Sequence, residues 1–155
     1  MTFIDPMLLD QQLCFALYAA THAITRCYTP GLKALGLTYP QYLVMLVLWQ
    51  DDALTLKALA ERLDLDSPTL TPLLKRLEAS GYLTRARSRV DERALEIRLT
   101  DAGRALRERA EEVHAEVARQ SGLPPDAVAR MRIELQKLSA QLKGIGDDQV
   151  WPHAG

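Results

Sequence analysis

Two short helical segments joined by a sharp turn, two strand-like segments flanking an arginine-rich turn, and long amphipathic helices at either end predict a mainly α fold. Together they describe a winged helix-turn-helix carried between N- and C-terminal dimerisation helices, whose apolar faces need a second copy to cover them. The chain has 155 residues, 48% hydrophobic and 25% charged, a balance that excludes a disordered or collagen-like polymer. At this length folding buries roughly two-thirds of the unfolded surface, so the core needs neither metal nor disulfide.

Each element has its own warrant. Leu8, Leu9, Leu13, Leu17 and Ile24 recur at helical spacing and predict a helix over about 10–28, ended by Pro30-Gly31. A second helix starts at Thr38-Tyr39-Pro40, is apolar nearly all round from Tyr42 to Trp49, and is therefore expected to be buried; Asp51-Asp52 closes it. Leu56, Leu59, Ala60 and Leu63 share one face of a third helix, about three turns over 55–65. Asp66-Ser67-Pro68 starts the next helix sharply. Ser67 can cap it, and Pro68 suits a first helical position, where its missing N–H would be unpaired anyway. That helix runs to about 79, burying Leu70, Leu73, Leu74 and Leu77, with Gly81 as its C-terminal cap and a local distortion expected at Pro72. Leu83–Arg87 and Leu95–Leu99 read as a hairpin, the second by its period-2 alternation. Thr100-Asp101 then caps a charged helix to about 120, which Gly122-Leu123-Pro124-Pro125 breaks. A last helix over 126–143 aligns Val128, Met131, Leu135, Leu138 and Leu142, and the tail from Gly144 is expected to fray. This divides the chain into N-terminal dimerisation helices (1–50), a winged helix-turn-helix unit (51–100), and C-terminal dimerisation helices with the tail (101–155).

The net charge of −1 conceals a local excess. Residues 75–98 hold seven basic and four acidic side chains, a balance of +3 that leaves −4 for the rest of the chain. Such a patch on a near-neutral protein is the footprint of an anionic partner. The major groove of double-stranded DNA admits one α-helix, read mainly by its N-terminal half. Here that half offers Ser67, Thr69 and Thr71, with Lys75 and Arg76 one turn on for phosphates. Arg85, Arg87, Arg89 and Arg93 of the hairpin are placed for a neighbouring minor groove or its backbone. Lys75 or Arg76 alone would be read as a wet helix face; the capped helix, the helix before it and the arginine hairpin together favour DNA. A dimer would read a pseudo-palindromic operator.

The longest apolar run, residues 42–49, is far too short to span a bilayer. The N-terminus lacks a basic stretch followed by an apolar region, and two cysteines make no disulfide framework. A cytoplasmic protein with reduced thiols and no membrane partner is expected. His22, His114 and His153 lack metal-ligand spacing and there is no glycine-rich phosphate loop, so no metal or cofactor is expected either.

Residues 70–78 (LTPLLKRLE), Asp91-Glu92-Arg93 and residues 97–103 (IRLTDAG) resemble the winged-helix core of MarR-family transcriptional regulators. The N-terminal residues 13–18 (LCFALY), with 37–42 (LTYPQY), are similar to the organic hydroperoxide resistance regulators (OhrR) within that family. The resemblance covers about residues 10–110. It implies a repressor that senses organic hydroperoxides by oxidation of Cys14 and releases operator DNA. It further implies that Asp91 pairs with Arg93 to aim the arginine into the minor groove. Tyr28 and Tyr39 would hydrogen-bond the Cys14 thiolate across the dimer interface, and Phe15 and Tyr18 would line an apolar sensor pocket.

Without the resemblance, a cysteine among apolar neighbours is ordinarily a small hydrophobe. No Lys, Arg or His lies within four residues of Cys14, so tyrosine hydroxyls would have to stabilise its anion. Some members of the subgroup resolve the oxidised thiol with a second cysteine in the helix after the wing; residues 117–121 contain none. Cys27 is thirteen residues from Cys14, about 20 Å along one helix, which excludes an intrachain bridge. The reading is a one-cysteine sensor that uses a small external thiol, with Cys27 structural. Two other readings compete: a MarR-type repressor relieved by reversible binding of a small aromatic acid, and a thiol peroxidase with Cys14 as nucleophile.

Overall fold

The computed structural model describes residues 5–144, and the tail beyond them lies outside the described residues. It comprises six helices and three strands after a short 3₁₀ turn at Leu9–Gln11: α1 (Leu13–Ala34), α2 (Tyr39–Gln50), β1 (Leu54–Thr55), α3 (Leu56–Leu63), α4 (Ser67–Ala79), β2 (Leu83–Arg87), β3 (Leu95–Leu99), α5 (Asp101–Ser121) and α6 (Pro125–Lys143). Two compact units are present, one ending at Val117 and one starting at Ala118. In the first, a single core runs from Tyr28 to Val117.

α2 is the centre of that core. Thr38 caps it through a reciprocal pair in which its hydroxyl accepts from the Gln41 N–H while the Gln41 side chain accepts from the Thr38 N–H. Tyr42, Val44, Met45, Val47 and Leu48 are buried, and Gln50 is the first residue since Pro40 to stand exposed. The all-round apolar sequence means what it predicts. α5 is likewise held at its start, the Thr100 hydroxyl accepting from the Gly103 N–H at 3.1 Å.

Four expectations need correction. The first helix does not end at Pro30-Gly31 but continues to Ala34 with Pro30 inside it. A proline this near the C-terminus forfeits one hydrogen bond, and Leu32 (1% exposed) and Leu35 repay it by burial. Gly31 earns its place through packing, because a Cβ there would sit 2.7 Å from Cγ1 of Val113 on α5. The third helix is shorter than expected, since Leu54–Thr55 pairs antiparallel with Glu96 and Ile97 of β3, and Asp64 turns left-handed (φ 59°) after Leu63. Asp66 rather than Ser67 caps α4, its Oδ1 accepting from the Thr69 N–H at 2.7 Å. Finally, α4 runs unbroken through Pro72, which lies early enough to cost only the bond to Pro68. Leu70, Leu74 and Leu77 are buried as expected, while Leu73 is half-buried.

At the end of α4, Gly81 adopts φ +82°, which lets Tyr82 N–H reach Leu77 O and Gly81 N–H reach Glu78 O. The chain then enters the sheet, ordered β1-β3-β2, with Leu83 opposite Leu99 and Arg87 opposite Leu95. Ile97 and Leu99 point into the core and Arg98 to solvent, the period-2 pattern visible in the sequence. The Tyr82 hydroxyl donates to Leu35 O at 2.9 Å, tying the base of the hairpin to the end of α1.

Candidate nucleic-acid interface and thiol site

α3, the left-handed turn at Asp64 and α4 form the helix-turn-helix, and β2–β3 form the wing. Ser67 and Thr69 are exposed on the first turn of α4; Thr71 is half-buried and its hydroxyl donates to Ser67 O at 2.8 Å. Bonds from the Thr69 side chain and backbone hold the Asp66 carboxyl below its usual range, so the cap is anionic at neutral pH. Lys75 and Arg76 are exposed and make no ion pair to a described residue, leaving both free for phosphates.

The wing arginines divide into two kinds. Arg85 is a brace: its guanidinium meets Glu78 Oε1 at 3.1 Å, and its N–H donates to Glu78 Oε2 at 2.9 Å. Those two bonds hold the Glu78 carboxyl below its usual range and fasten α4 to β2. Arg85 was expected beside DNA; the structure engages it within the protein. Arg87, Arg89 and Arg93 are exposed around the turn, with Arg87 donating to Glu92 O at 3.3 Å. Buried Ser88 anchors that turn, its hydroxyl accepting from the N–H groups of Val90 and Asp91. Asp91 and Arg93 meet through the backbone. Asp91 accepts from the backbone N–H of Arg93 at 3.0 Å, and no described carboxylate pairs with that guanidinium.

The thiol residues fall into two groups at opposite ends of α1. Cys14 is exposed on its first turn, flanked by Phe15 (37% exposed) and Tyr18 (63%), whose ring packs edge-on against His22. Tyr28 is buried, its ring centroid 5.4 Å from that of Tyr39 and 5.5 Å from that of Tyr42. Fourteen helical residues put Cys14 about 21 Å from Tyr28 along the axis, so one chain does not bring them together. Cys27 is exposed in the single chain, and α1 runs unbroken between the two free thiols.

The tyrosines open into a cavity of about 370 Å³ walled by Tyr28, Tyr39, Tyr42, Leu46 and Trp49 on one side and Arg107, Ala110, Glu111 and His114 of α5 on the other. Arg107 pairs with Glu111 at 2.9 Å, and the Tyr28 hydroxyl lies 2.9 Å from Nδ1 of His114. Burial pushes the Tyr28, Tyr39 and Tyr42 hydroxyls up, Tyr42 to about 12 with Tyr28 and Tyr39 adding to the effect. All three therefore keep their protons at neutral pH, and the Tyr28 and Tyr42 hydroxyls also hydrogen-bond each other.

The SarA/Rot family of transcriptional regulators matches residues 26–109. The organic hydroperoxide resistance transcriptional regulator of Bacillus subtilis is 48% identical over 121 residues, 76% of this chain and 82% of that one. The chain belongs to the MarR/SarA family of transcriptional regulators. Its identity to that regulator supports the OhrR subgroup, and the peroxidase reading falls away because the relatives are regulators, not enzymes. The HTH-type regulator TtmR of Methylorubrum extorquens is 61% identical over 103 residues, 66% of this chain; the match spans about half (53%) of TtmR. Among solved structures, reduced AbfR bound to DNA matches with TM-score 0.74 and 39% identity, covering 88% of this chain and 94% of that one; AbfR is from Staphylococcus epidermidis. Among the described residues of this regulator, no single helix is long and apolar enough to cross a membrane.

Sequence reasoning passed over Arg107 and Glu111, weighed His114 only as a metal ligand, and gave Tyr42 and Trp49 no part in a site. A signal was present: residues 107, 110, 111 and 114 share one helical face, as do 39, 42, 46 and 49. Nothing in the sequence says that these two faces meet.

Proposed function

We propose that this chain is a homodimeric repressor of a pseudo-palindromic DNA site, released when an organic hydroperoxide oxidises Cys14. The observation that carries the reading is the split of the site. An exposed thiol with aromatic neighbours sits at one end of α1, and a tyrosine-lined cavity opens at the other. A twofold pairing of two chains along α1 brings each Cys14 to the Tyr28 and Tyr39 hydroxyls of its mate and covers the bare apolar residues Leu13, Phe15, Tyr18 and Ile24. Those hydroxyls then donate to the thiolate, while Phe15 and Tyr18 favour an organic over an aqueous peroxide.

In the chemistry, the thiolate attacks the peroxide O–O bond. An S–O bond forms, the O–O bond breaks, the sulfur is oxidised by two electrons, and the peroxide leaves as an alcohol after taking a proton. A small external thiol then displaces water from the sulfenic acid to give a mixed disulfide. AbfR has been seen bound to DNA both reduced and overoxidised, and a third structure of it is disulfide-formed. That set supports assigning release to the disulfide step, and this chain is less similar to the disulfide form (TM-score 0.60) than to the reduced, DNA-bound one. The switch needs the mixed disulfide to favour the non-binding arrangement, since a modification equally at home in both states shifts nothing.

The test measures binding to the protein's own upstream DNA with and without an organic hydroperoxide plus a small thiol, for wild type and Cys14→Ser. Wild type is expected to let go and the variant to hold on. A second reading is favoured by the cavity alone. Its volume of about 370 Å³ and the arginine on its wall suit a small aromatic acid that binds reversibly. Release of Cys14→Ser by such an acid, with no response of wild type to peroxide, would decide for it.

A further inference from the structure

The Tyr28–His114 contact raises a question of proton supply. A phenol has one O–H proton, and the ring nitrogen facing it 2.9 Å away either accepts that proton or presents one of its own. Neutral His114 with its proton on Nε2 accepts through Nδ1, so the Tyr28 proton is spent on the imidazole. Protonated His114 donates through Nδ1 to the Tyr28 oxygen, and the Tyr28 proton is then free to turn elsewhere. The geometry supports such a relay. Tyr28 is buried between Tyr39 and Tyr42, hydrogen-bonds the Tyr42 hydroxyl and keeps its proton, whereas His114 is exposed at the cavity wall.

We propose that His114 is a positioning residue for the sensing reaction, its charge deciding whether the Tyr28 hydroxyl points its proton at the imidazole or at the thiolate of Cys14 from a second copy. The inference rests on the reading above, in which that thiol faces Tyr28. The groups around His114 are Tyr28 on α1, Tyr39 and Tyr42 on α2, and the Arg107–Glu111 pair on its own helix. The three tyrosines stay neutral and the pair carries opposite charges, and histidine is the side chain among these types that acts as a charge switch near neutral pH. Acidification then strengthens the hydrogen bond to the thiolate, opposing the ordinary loss of thiolate as pH falls. The sensor would hold its reactivity at a pH where an unassisted thiol fades.

The experiment follows Cys14 oxidation by tert-butyl hydroperoxide in the full chain by peptide mass spectrometry from pH 6 to pH 8, for wild type and His114→Asn. The ratio of wild-type to variant rate is expected to change about tenfold over that range, wild type gaining toward pH 6, as fits a hydrogen bond to a charged group. In a Tyr28→Phe background the same substitution should leave the ratio flat. A flat ratio with Tyr28 present overturns the proposal, and so does a tenfold change that persists without the Tyr28 hydroxyl. Nitrogen-15 NMR of the wild-type imidazole tests the contact without any variant, and a neutral ring carrying its proton on Nδ1 also overturns it. Failure of the parent reading looks different: Cys14→Ser would still release DNA on peroxide treatment, while the NMR tautomer continued to report on the Tyr28–His114 pair.

Discussion

α4 and the first half of α1 are both amphipathic helices, yet only one is complete within the chain. α4 begins on the Asp66 cap, buries Leu70, Leu74 and Leu77 to 1% exposure or less, and is braced to the sheet by Glu78–Arg85. α1 begins at Gln12 with no side-chain cap, and leaves Leu13 59%, Tyr18 63% and Ile24 50% exposed. Its burial starts only at Tyr28 and Leu32, four turns in. α4 is therefore held by its own fold, while the first half of α1 is left uncovered by the rest of the chain. On the proposed function that contrast has a use: a modification at Cys14 would act on how two chains fit together without first unfolding either one.

The largest effect should separate the two helices directly. Leu74→Ala empties a fully buried site and is expected to cost about 3 kcal/mol in urea unfolding. Leu13→Ala, read at a dilution where sedimentation finds single chains, should stay within about 0.5 kcal/mol of wild type and become costly only as concentration rises. Equal costs at both positions under dilution would break the contrast. The next effect lies within α1, at the point where exposure gives way to packing. Gly31→Ala forces a Cβ to 2.7 Å from Val113 and is expected to cost about 1–2 kcal/mol. In a Val113→Ala background most of that penalty should vanish, because the clash is with that side chain. A penalty unchanged by the second substitution would place the strain in the helix backbone next to Pro30.

This contrast also marks how far the sequence could be read. Local signals were sufficient for α2, α5 and the hairpin, where the Thr38 and Thr100 caps and the alternation at Leu95–Leu99 act within a few residues of each other. They failed where a distant partner decides. Pro30-Gly31 has the look of a terminator, but Val113, eighty-two residues on, turns it into a close crossing of α1 and α5. β1 is two residues long and exists because β3 offers it an edge. Asp66 and Ser67 are both competent caps, and the choice depends on backbone angles that composition does not carry. Among the cavity's walls, Tyr28 and Tyr39 were already singled out by the sequence motifs. His114 was not, because its hydrogen bond to Tyr28 spans 86 residues.

The smallest effect concerns what makes α4 self-sufficient. Asp66 is held below its usual range in the folded chain by the Thr69 side chain and backbone. A carboxyl with a depressed folded pKa adds stability that is fully present above its unfolded value, the ordinary 3.8, and is lost as pH falls through the lower folded value. Asp66→Ala should therefore lower the thermal midpoint by a few degrees at pH 7, and the gap to wild type should close only once the pH drops below the ordinary carboxylate range. Asp66→Asn keeps an acceptor oxygen without the charge, so it should recover most of the midpoint and lose its pH dependence. A gap that stayed constant down to pH 2 would mean that the cap works through backbone shape rather than through the carboxylate. The start of the reading helix would then owe less to its own side chain than the comparison with α1 implies.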